Sequence, residues 1–312
     1  MIAYLFRRLL AAVPTLVGVL VLTWLLFFRT ASPEAIARRH LSKSPTADQV
    51  QTWIQDRGLD LPASVQLRRC TVDMLLFRFG RSDTTHQEVS ARLRQGAAPS
   101  LAIGATIFIS TLLSSLFFAA LAAWYRGMAI DRITTLLCVL GLSIVYMIYC
   151  FTFQYLFGRV LKLWPIWGFE EGTGLLRFLV LPSLVGMVAG ISSDIRLYRT
   201  FLLEEISKDY VMAARAKGVS ETGILMRHVL PNALIPILTN TVILIPRLVM
   251  GNLILESVFG IPGLGSYLAD AIANADFTVV RAMVFLGALL YLLGQVLTDL
   301  AYALADPRVR LR

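Results

Sequence analysis

The stretch DYVMAARAKGVSETGILMRHVLPNALIP, residues 209–236, decides the fold, because it is a polar, helix-forming segment between two long apolar runs. Ser207 and Asp209 favour a helix start, since a hydroxyl can cap free N–H groups and a carboxylate suits the positive end of the helix dipole. Arg215 suits the negative end, and Gly218 is a typical helix stop. The pattern predicts a short helix outside the apolar runs.

The surface of this predicted helix offers a partner one aromatic side chain beside small ones. Tyr210 lies one helical turn from Ala213 and Ala214, where small side chains let another protein's backbone approach closely. Two interpretations remain open at this point. The helix is either a docking site for a cytoplasmic motor or an ordinary amphipathic surface helix.

The composition predicts an integral membrane protein of the all-α class. Hydrophobic residues make up 57% of the chain and charged residues 16%, whereas soluble domains have roughly 45–50% and about 25%. Runs long enough to cross the roughly 30 Å hydrocarbon core predict six transmembrane helices. These runs are Leu9–Phe28, Leu101–Tyr125, Ile133–Phe157, Leu175–Ser193, Ala233–Leu255 and Val280–Leu304.

The first run has the alternative of being a cleaved secretory signal. Its apolar core is longer than the roughly 7–15 residues that such signals use, which favours a retained helix. Six spans place both termini on one side of the membrane. Arginines and lysines are concentrated at both ends of the chain and in residues 194–233, so the termini are expected to be cytoplasmic.

The long segment 29–99 is basic, but it exceeds the loop length of about 60 residues over which charge sets orientation. We therefore expect it to be an external, partly helical subdomain, with one helix from Ala47 that Gly58 ends and a second from about Ser64 to Phe77. The predicted organisation is the N-terminus and helix 1 in residues 1–28, this subdomain, and helices 2–6 in residues 100–312, which include a cytoplasmic coupling loop at 194–233.

The sequence lacks the signatures of several other functions. There is no phosphate-binding loop, so any ATP and Mg²⁺ are expected on partner subunits, and no catalytic residue is predicted. The net charge is +9, but no nucleic-acid-binding motif accompanies it, so nucleic acid is not expected as a partner. Cys70, Cys138 and Cys150 are predicted to form no disulfide, and the histidines stand apart, so no metal site is expected.

The spacing and the identity of residues in the segment 209–236 resemble those of a known family. Two alanines, three residues, a glycine and, after eleven more, Leu-Pro resemble the EAA loop of ABC importer permeases. ARAKG followed by HVLPNALIP is similar to permeases of the dipeptide, oligopeptide and nickel importer family. The apolar N-terminus, ESVFGIPGLGSYLADAI from Glu256 and DPRVR from Asp306 also resemble family segments in the same order. The resemblance implies the type I ABC importer permease fold in a bacterial inner membrane.

The resemblance also implies partners and a mechanism. Two cytoplasmic ATPase subunits would dock on the helix, a second homologous permease would complete the path, and an extracytoplasmic substrate-binding protein would deliver cargo by alternating access. The expected cargo is short peptides, with nickel or another metallophore chelate as the alternative. From other classes, a secondary carrier and a membrane scaffold remain open. The implied ATPase-coupling residues are Tyr210, Ala213, Ala214, Lys217 and Gly218.

Charged and polar residues near the fifth and sixth runs are candidates for the transport path. Arg247 lies near the middle of the fifth run, where a guanidinium costs at least about 2.5–3.5 kcal/mol unless it meets water or a partner. It is expected to attract an anionic group of the cargo along the path or to form a salt bridge to the partner permease. Asn252 is expected on the same path. Asp299 is expected to pair near the cytoplasmic interface.

The loop after the fifth run resembles the family's Phe-x-x-Pro-Gly-Leu-Gly segment at the outer mouth of the permease. Glu256 precedes it and is expected to cap or anchor it. A helical stretch is predicted to follow at Ser266–Ala275. The candidate outer-mouth residues are Glu256, Pro262, Gly263 and Gly265.

Overall fold

A computed structural model of the chain describes residues 2–29, 32–41, 45–170, 172–242 and 244–305. Regular structure in these ranges is helical, apart from an isolated β-bridge between Arg81 and Glu88, and the all-α prediction is confirmed. The α-helices are α1 (Ile2–Arg29), α2 (Pro33–His40), α3 (Ala47–Asp56), α4 (Ala63–Leu75), α5 (Val89–Trp124), α6 (Ala129–Ser143), α7 (Tyr146–Phe153), α8 (Leu175–Ile206), α9 (Asp209–Ala216), α10 (Glu221–Ile224), α11 (Leu230–Val242), α12 (Ile245–Met250), α13 (Leu253–Phe259), α14 (Leu264–Ala273) and α15 (Phe277–Ala305).

Three described helices are long and apolar enough to cross a membrane: Val89–Trp124, Leu175–Ile206 and Phe277–Asp299. A fourth span is obtained if α6 is joined to α7 and the π-helical turn Gln154–Val160, which follow it after a bend of 97°. The apolar stretch Val13–Leu26 within α1 is shorter. The count of six spans stays a prediction.

Two of the apolar runs that were predicted to be single spans are interrupted. The run at 133–157 breaks where Ile144 and Val145 take extended backbone between α6 and α7. The run at 233–255 is divided among α11, α12 and α13, with Gly251 at a φ of +74° between the last two. Hydropathy measures apolarity and is blind to such breaks, because a glycine or an extended pair is as apolar as the helix around it.

The chain divides into two compact parts, the first of which comprises the described residues of 1–97 and 267–296. The helices predicted after Ala47 and near Ser64 are confirmed as α3 and α4, and Gly58 ends the first with a φ of +63°. The turn after α4 is fixed by Asp83, which accepts two hydrogen bonds of 3.0 Å from Thr278 and pairs with Arg57.

The second part comprises the described residues of 98–266 and 297–310. Here α8 packs against α6, α7 and α11. A two-pronged ion pair fixes α6 onto α8: Arg199 donates to both carboxylate oxygens of Asp131 at 2.7 and 2.8 Å. Asp131 is buried and also accepts from the amide of Gly127 at 2.9 Å, so the remaining acceptor capacity of this charge is used within the bundle.

Candidate functional site

The predicted short helix is present as α9, Asp209–Ala216. Gly218 stops it with a φ of +78°, as the sequence predicts. The prediction that Ser207 is its N-cap is wrong. Since α8 runs on to Ile206, Ser207 closes α8 instead, and its hydroxyl donates to the carbonyl of Glu204 at 2.8 Å; Lys208 starts α9 without a side-chain cap.

The two sides of α9 have different surroundings. Val211 and Ala214 face inward, and Ala214 is 8% exposed, so it packs inside its own chain and leaves no space for a partner's backbone. The expectation for Ala214 is corrected accordingly: it holds α9 in place. Met212, at 57% exposure, and Ala213 and Lys217 form the exposed side. The buried neighbours of Val211 and Ala214 in this core include Tyr198, Leu202, Val229 and Ile237.

A polar cluster ties α9 to two long helices. The hydroxyl of Tyr210 donates to Glu205 at the end of α8 at 2.5 Å, and Asn232 of α11 donates to the same hydroxyl at 3.3 Å. Burial, together with the adjacent Glu205 carboxylate, raises the pKa of Tyr210 to about 12, so the hydroxyl stays protonated and able to donate. Tyr210 is therefore a link within the chain as well as a surface residue. Sequence reasoning missed Glu205 and Asn232, because neither lies at helical spacing from Tyr210.

The turn after α9 is held by exposed charges. Arg215 donates to both oxygens of Glu221 at 2.6 and 2.9 Å, which lowers the pKa of Glu221, and Ser220 caps α10 by accepting from the amide of Gly223 at 3.3 Å. Lys217 is exposed and forms no salt bridge among the described residues. The turn thus presents Lys217 free at the edge of α9.

Glu256 organises the candidate outer-mouth loop from its centre. Its side chain is fully buried, and one carboxylate oxygen accepts from the hydroxyl of Ser100 at 2.8 Å and from the amide of Asn252 at 3.0 Å. The other oxygen accepts from the amides of Gly265 at 2.7 Å and Ser266 at 3.1 Å. Glu256 therefore anchors the loop, as expected, although it lies in the first turn of α13 and does not end a longer helix.

Glycines make this loop possible. A Cβ atom on Gly251 or Gly263 would overlap the Glu256 carboxylate, and one on Gly265 would lie 2.7 Å from the backbone at Asn252. Pro262 lies half-buried between them, after the buried Ile261. The predicted helix after the loop is α14, which begins two residues earlier than expected, because the amide of Leu264 is already capped by the Ser100 hydroxyl at 2.7 Å.

A cavity of about 410 Å³ lies within the second part, between α5, α8 and the broken segment α11–α13. Its wall is mostly apolar, with Ile107, Leu112 and Leu248 among the lining residues. Asn252 lines it, but its amide is already used: it donates to Tyr146 at 2.9 Å and accepts from the amide of Leu255 at 3.1 Å. The cavity thus includes one of the two residues predicted for the path.

The other predicted path residue, Arg247, belongs to α12; Leu248 of this helix and Leu244, the residue just before it, line the cavity. Its side chain lies outside the described residues, and its role stays a prediction. The expected pairing of Asp299, whose side chain is half-buried in α15, also stays a prediction.

Asp194 is a cavity residue that sequence reasoning missed. It lies on α8, lines the cavity and is half-buried. The predicted fourth span stops at Ser193, one residue before Asp194, where the apolar run ends. The helix in fact continues to Ile206. A carboxylate inside a helix that continues beyond the apolar run was the signal that could have identified Asp194.

Comparison with known proteins covers the whole length of the chain. Residues 115–311 match the family described as binding-protein-dependent transport system inner membrane component. Residues 1–91 match the family described as its N-terminal membrane component. The first match alone spans more than half of the 312 residues.

Individual relatives align from end to end. The chain is 31% identical to a "Probable peptide ABC transporter permease protein" of Sinorhizobium fredii, over 98% of this chain and 99% of the relative. It is 32% identical to a "Putative peptide transport system permease protein" of Brucella abortus and to the "Glutathione transport system permease protein" of Salmonella paratyphi A, each over 99% of both chains.

Proposed function

Because this chain belongs to the family of binding-protein-dependent transport system inner membrane components, we propose that it is the permease subunit of an ATP-driven peptide importer. The family consists of membrane permease components of ABC transporters with the type I fold, which lack an ATPase of their own. The chain is accordingly an all-α, multi-pass protein of the inner membrane. Partner subunits bind ATP and Mg²⁺, and ATP hydrolysis takes place there.

The proposal rests on the position of α9, which has one exposed side and is hydrogen-bonded to two long helices of the bundle. Its exposed side, with Met212 and Ala213, is free for an ATPase subunit, while its inner side is packed in the core. Tyr210 links it by hydrogen bonds to α8 and α11, and α8 and α11 both contribute to the cavity wall. A displacement of α9 by the ATPase is therefore passed to the helices around the cavity, which is what alternating access requires.

The remaining subunits complete this mechanism. A second homologous permease faces the cavity, two ATPase subunits dock at the α9 surface, and an extracytoplasmic binding protein delivers the cargo. The termini are on the cytoplasmic side together with α9. The Glu256 loop lies at the opposite, outer mouth, and Arg247 contributes to the path or to the seam between the permeases.

The proposed cargo is short peptides. The relatives described above are named for peptides and for glutathione, itself a tripeptide, and none of these relatives is named for nickel. A cavity of about 410 Å³ lies within the range of roughly 300–1,000 Å³ that is typical of small-molecule sites. The names favour a peptide as cargo, and the cavity volume suits a small molecule.

The test is purification of the chain from its native membrane, followed by uptake in vesicles. We expect an ATPase and a second permease to copurify, and labelled trialanine to enter vesicles only when the ATPase is supplied with ATP and Mg²⁺. Uptake driven by a proton or sodium gradient without ATP would indicate a secondary carrier. Copurification without uptake of any peptide, but with uptake of nickel chelates, would reject the peptide assignment.

A further inference from the structure

The cavity wall contains one carboxylate, Asp194, that forms no salt bridge within the part of the chain that the structure describes. Asp194 lies about 18 Å along the helix axis from the end of α8, at about 1.5 Å per residue. Its only hydrogen-bond contact among the described residues is the hydroxyl of its neighbour Ser193, at 3.4 Å. No other described side chain that lines the cavity is charged at neutral pH.

The arginines closest to Asp194 in sequence do not neutralise it. Arg199 pairs with Asp131 through two hydrogen bonds. Arg196 is two positions further along α8, and residues at this spacing do not share a helix face. Among the described residues, none of the salt bridges includes Asp194. The negative charge of Asp194 therefore faces the cavity without a cationic partner among the described side chains.

An ionisable side chain within a membrane-spanning helix is costly, and it faces a path or a partner when it is present. We propose that Asp194 binds the protonated amino group of the cargo as the cargo passes through the cavity. This inference rests on the proposed function and makes it more specific: the permease itself selects for a cationic amine, in addition to any selection by the binding protein.

The chemistry of a peptide matches such a site. A free α-amino group has a pKa of about 7.7–8.0 and is mostly protonated at neutral pH, so nearly every short peptide carries this cation. An ammonium group has three donors and a carboxylate accepts several hydrogen bonds. The Ser193 hydroxyl, which also lines the cavity, is placed to accept from the same ammonium. The apolar wall beyond them suits side chains of varied size.

The first experiment measures uptake of trialanine by the complete transporter with Asp194→Asn, Asp194→Glu and, as a control, Asp270→Asn, which removes an exposed carboxylate on α14. We expect Asp194→Asn to lower the uptake rate about tenfold or more, the factor for loss of one charge-assisted hydrogen bond. Asp194→Glu retains most of the rate and Asp270→Asn all of it. Equal rates for the parent and Asp194→Asn, or dissociation of the two permeases in Asp194→Asn, would overturn the proposal.

The second experiment does not depend on transport. The Ser193→Cys variant is reacted with a trimethylammonium-bearing and a sulfonate-bearing methanethiosulfonate, once with Asp194 intact and once in combination with Asp194→Asn. The native cysteines are buried and give the background rate. We expect the cationic reagent to be favoured several-fold only when Asp194 is present. No change in this preference would refute cation binding at Asp194, whereas a changed preference in a transporter that imports no peptide would refute the proposed function alone.

Discussion

The loop around Glu256 and the helix α9 are both short polar interruptions among apolar helices, yet they are built in opposite ways. The loop is closed on itself, since a fully buried carboxylate uses all of its oxygens on the chain's own donors. In α9 only one side packs against the chain's own core, and Met212 and Ala213 on the other side are exposed. The difference supports the proposal that α9 is an interface, whereas the loop is rigid.

The largest effect is expected from a matched pair on α9. Ala214→Arg places a charge in the core and should cost at least about 3–5 kcal/mol, preventing stable folding. Ala213→Arg places the same charge on the exposed side and should change stability by less than about 0.5 kcal/mol while abolishing ATPase association. Thermal unfolding in detergent and ATPase copurification provide the two readouts. If both variants were equally stable and both still bound the ATPase, the two sides of α9 would not differ as described.

Removing the charge at the centre of the loop should have the next largest effect. Glu256→Gln replaces an acceptor by an amide whose NH₂ group faces backbone donors, so at least one buried N–H loses its partner. A loss on the order of 3 kcal/mol is expected. Asp270→Asn, which alters an exposed carboxylate on α14, is the control and should be neutral. Denaturant unfolding in detergent measures both, and a neutral Glu256→Gln would show that the loop is not held by this carboxylate.

Alanine substitutions at two glycines provide a further comparison of the Glu256 loop with α9. Gly263→Ala would push a methyl group into the Glu256 carboxylate and Ser100, with an expected cost of about 1–3 kcal/mol. Gly218→Ala meets open space and loses only the preference for positive φ, at about 1 kcal/mol. The closed loop should therefore tolerate an added methyl less well than the end of α9 does. Melting temperatures in the reverse order would contradict this.

The smallest effect on stability is expected at the link between α9 and the bundle. Tyr210→Phe removes the hydrogen bond to Glu205 and should cost about 1 kcal/mol, since the site is partly exposed. Tyr155→Phe, at an exposed tyrosine without a hydrogen bond among the described residues, should cost nothing. Uptake per bound ATPase should fall in Tyr210→Phe and stay unchanged in Tyr155→Phe. Unchanged uptake in both would separate α9 from the motion of α8 and α11.

Local signals in the sequence predicted most of the local structure. The stop of α9 at Gly218 and the helix after Ala47 follow from charges, periodicity and glycine within a few residues, whereas the start of α9 was misplaced, because Ser207 closes α8. The orientation of α9 was not predictable in this way, because the burial of Ala214 depends on side chains from α8 and α11 that are far away in sequence. Asp194 was missed for a related reason: hydropathy locates the end of an apolar run, not the end of the helix.

Exposure decides which residue can report the sidedness of the segment that is expected outside. Cys70 lies in this segment, but it is 7% exposed and its Sγ accepts a hydrogen bond from Arg281 at 3.6 Å, so its failure to react with a thiol reagent would carry no information about sidedness. Gln51 on α3 is exposed and replaces it.

The most direct measurement of the central claim is labelling of Ala213→Cys with a membrane-impermeant maleimide in right-side-out and inverted membrane vesicles, with Gln51→Cys as the opposite-side control. We expect the thiol of Ala213→Cys to react only in inverted vesicles and to be protected when the ATPase subunits are bound, whereas the thiol of Gln51→Cys should react only in right-side-out vesicles. Labelling of both positions from the same side, or labelling at 213 that bound ATPase does not reduce, would contradict it.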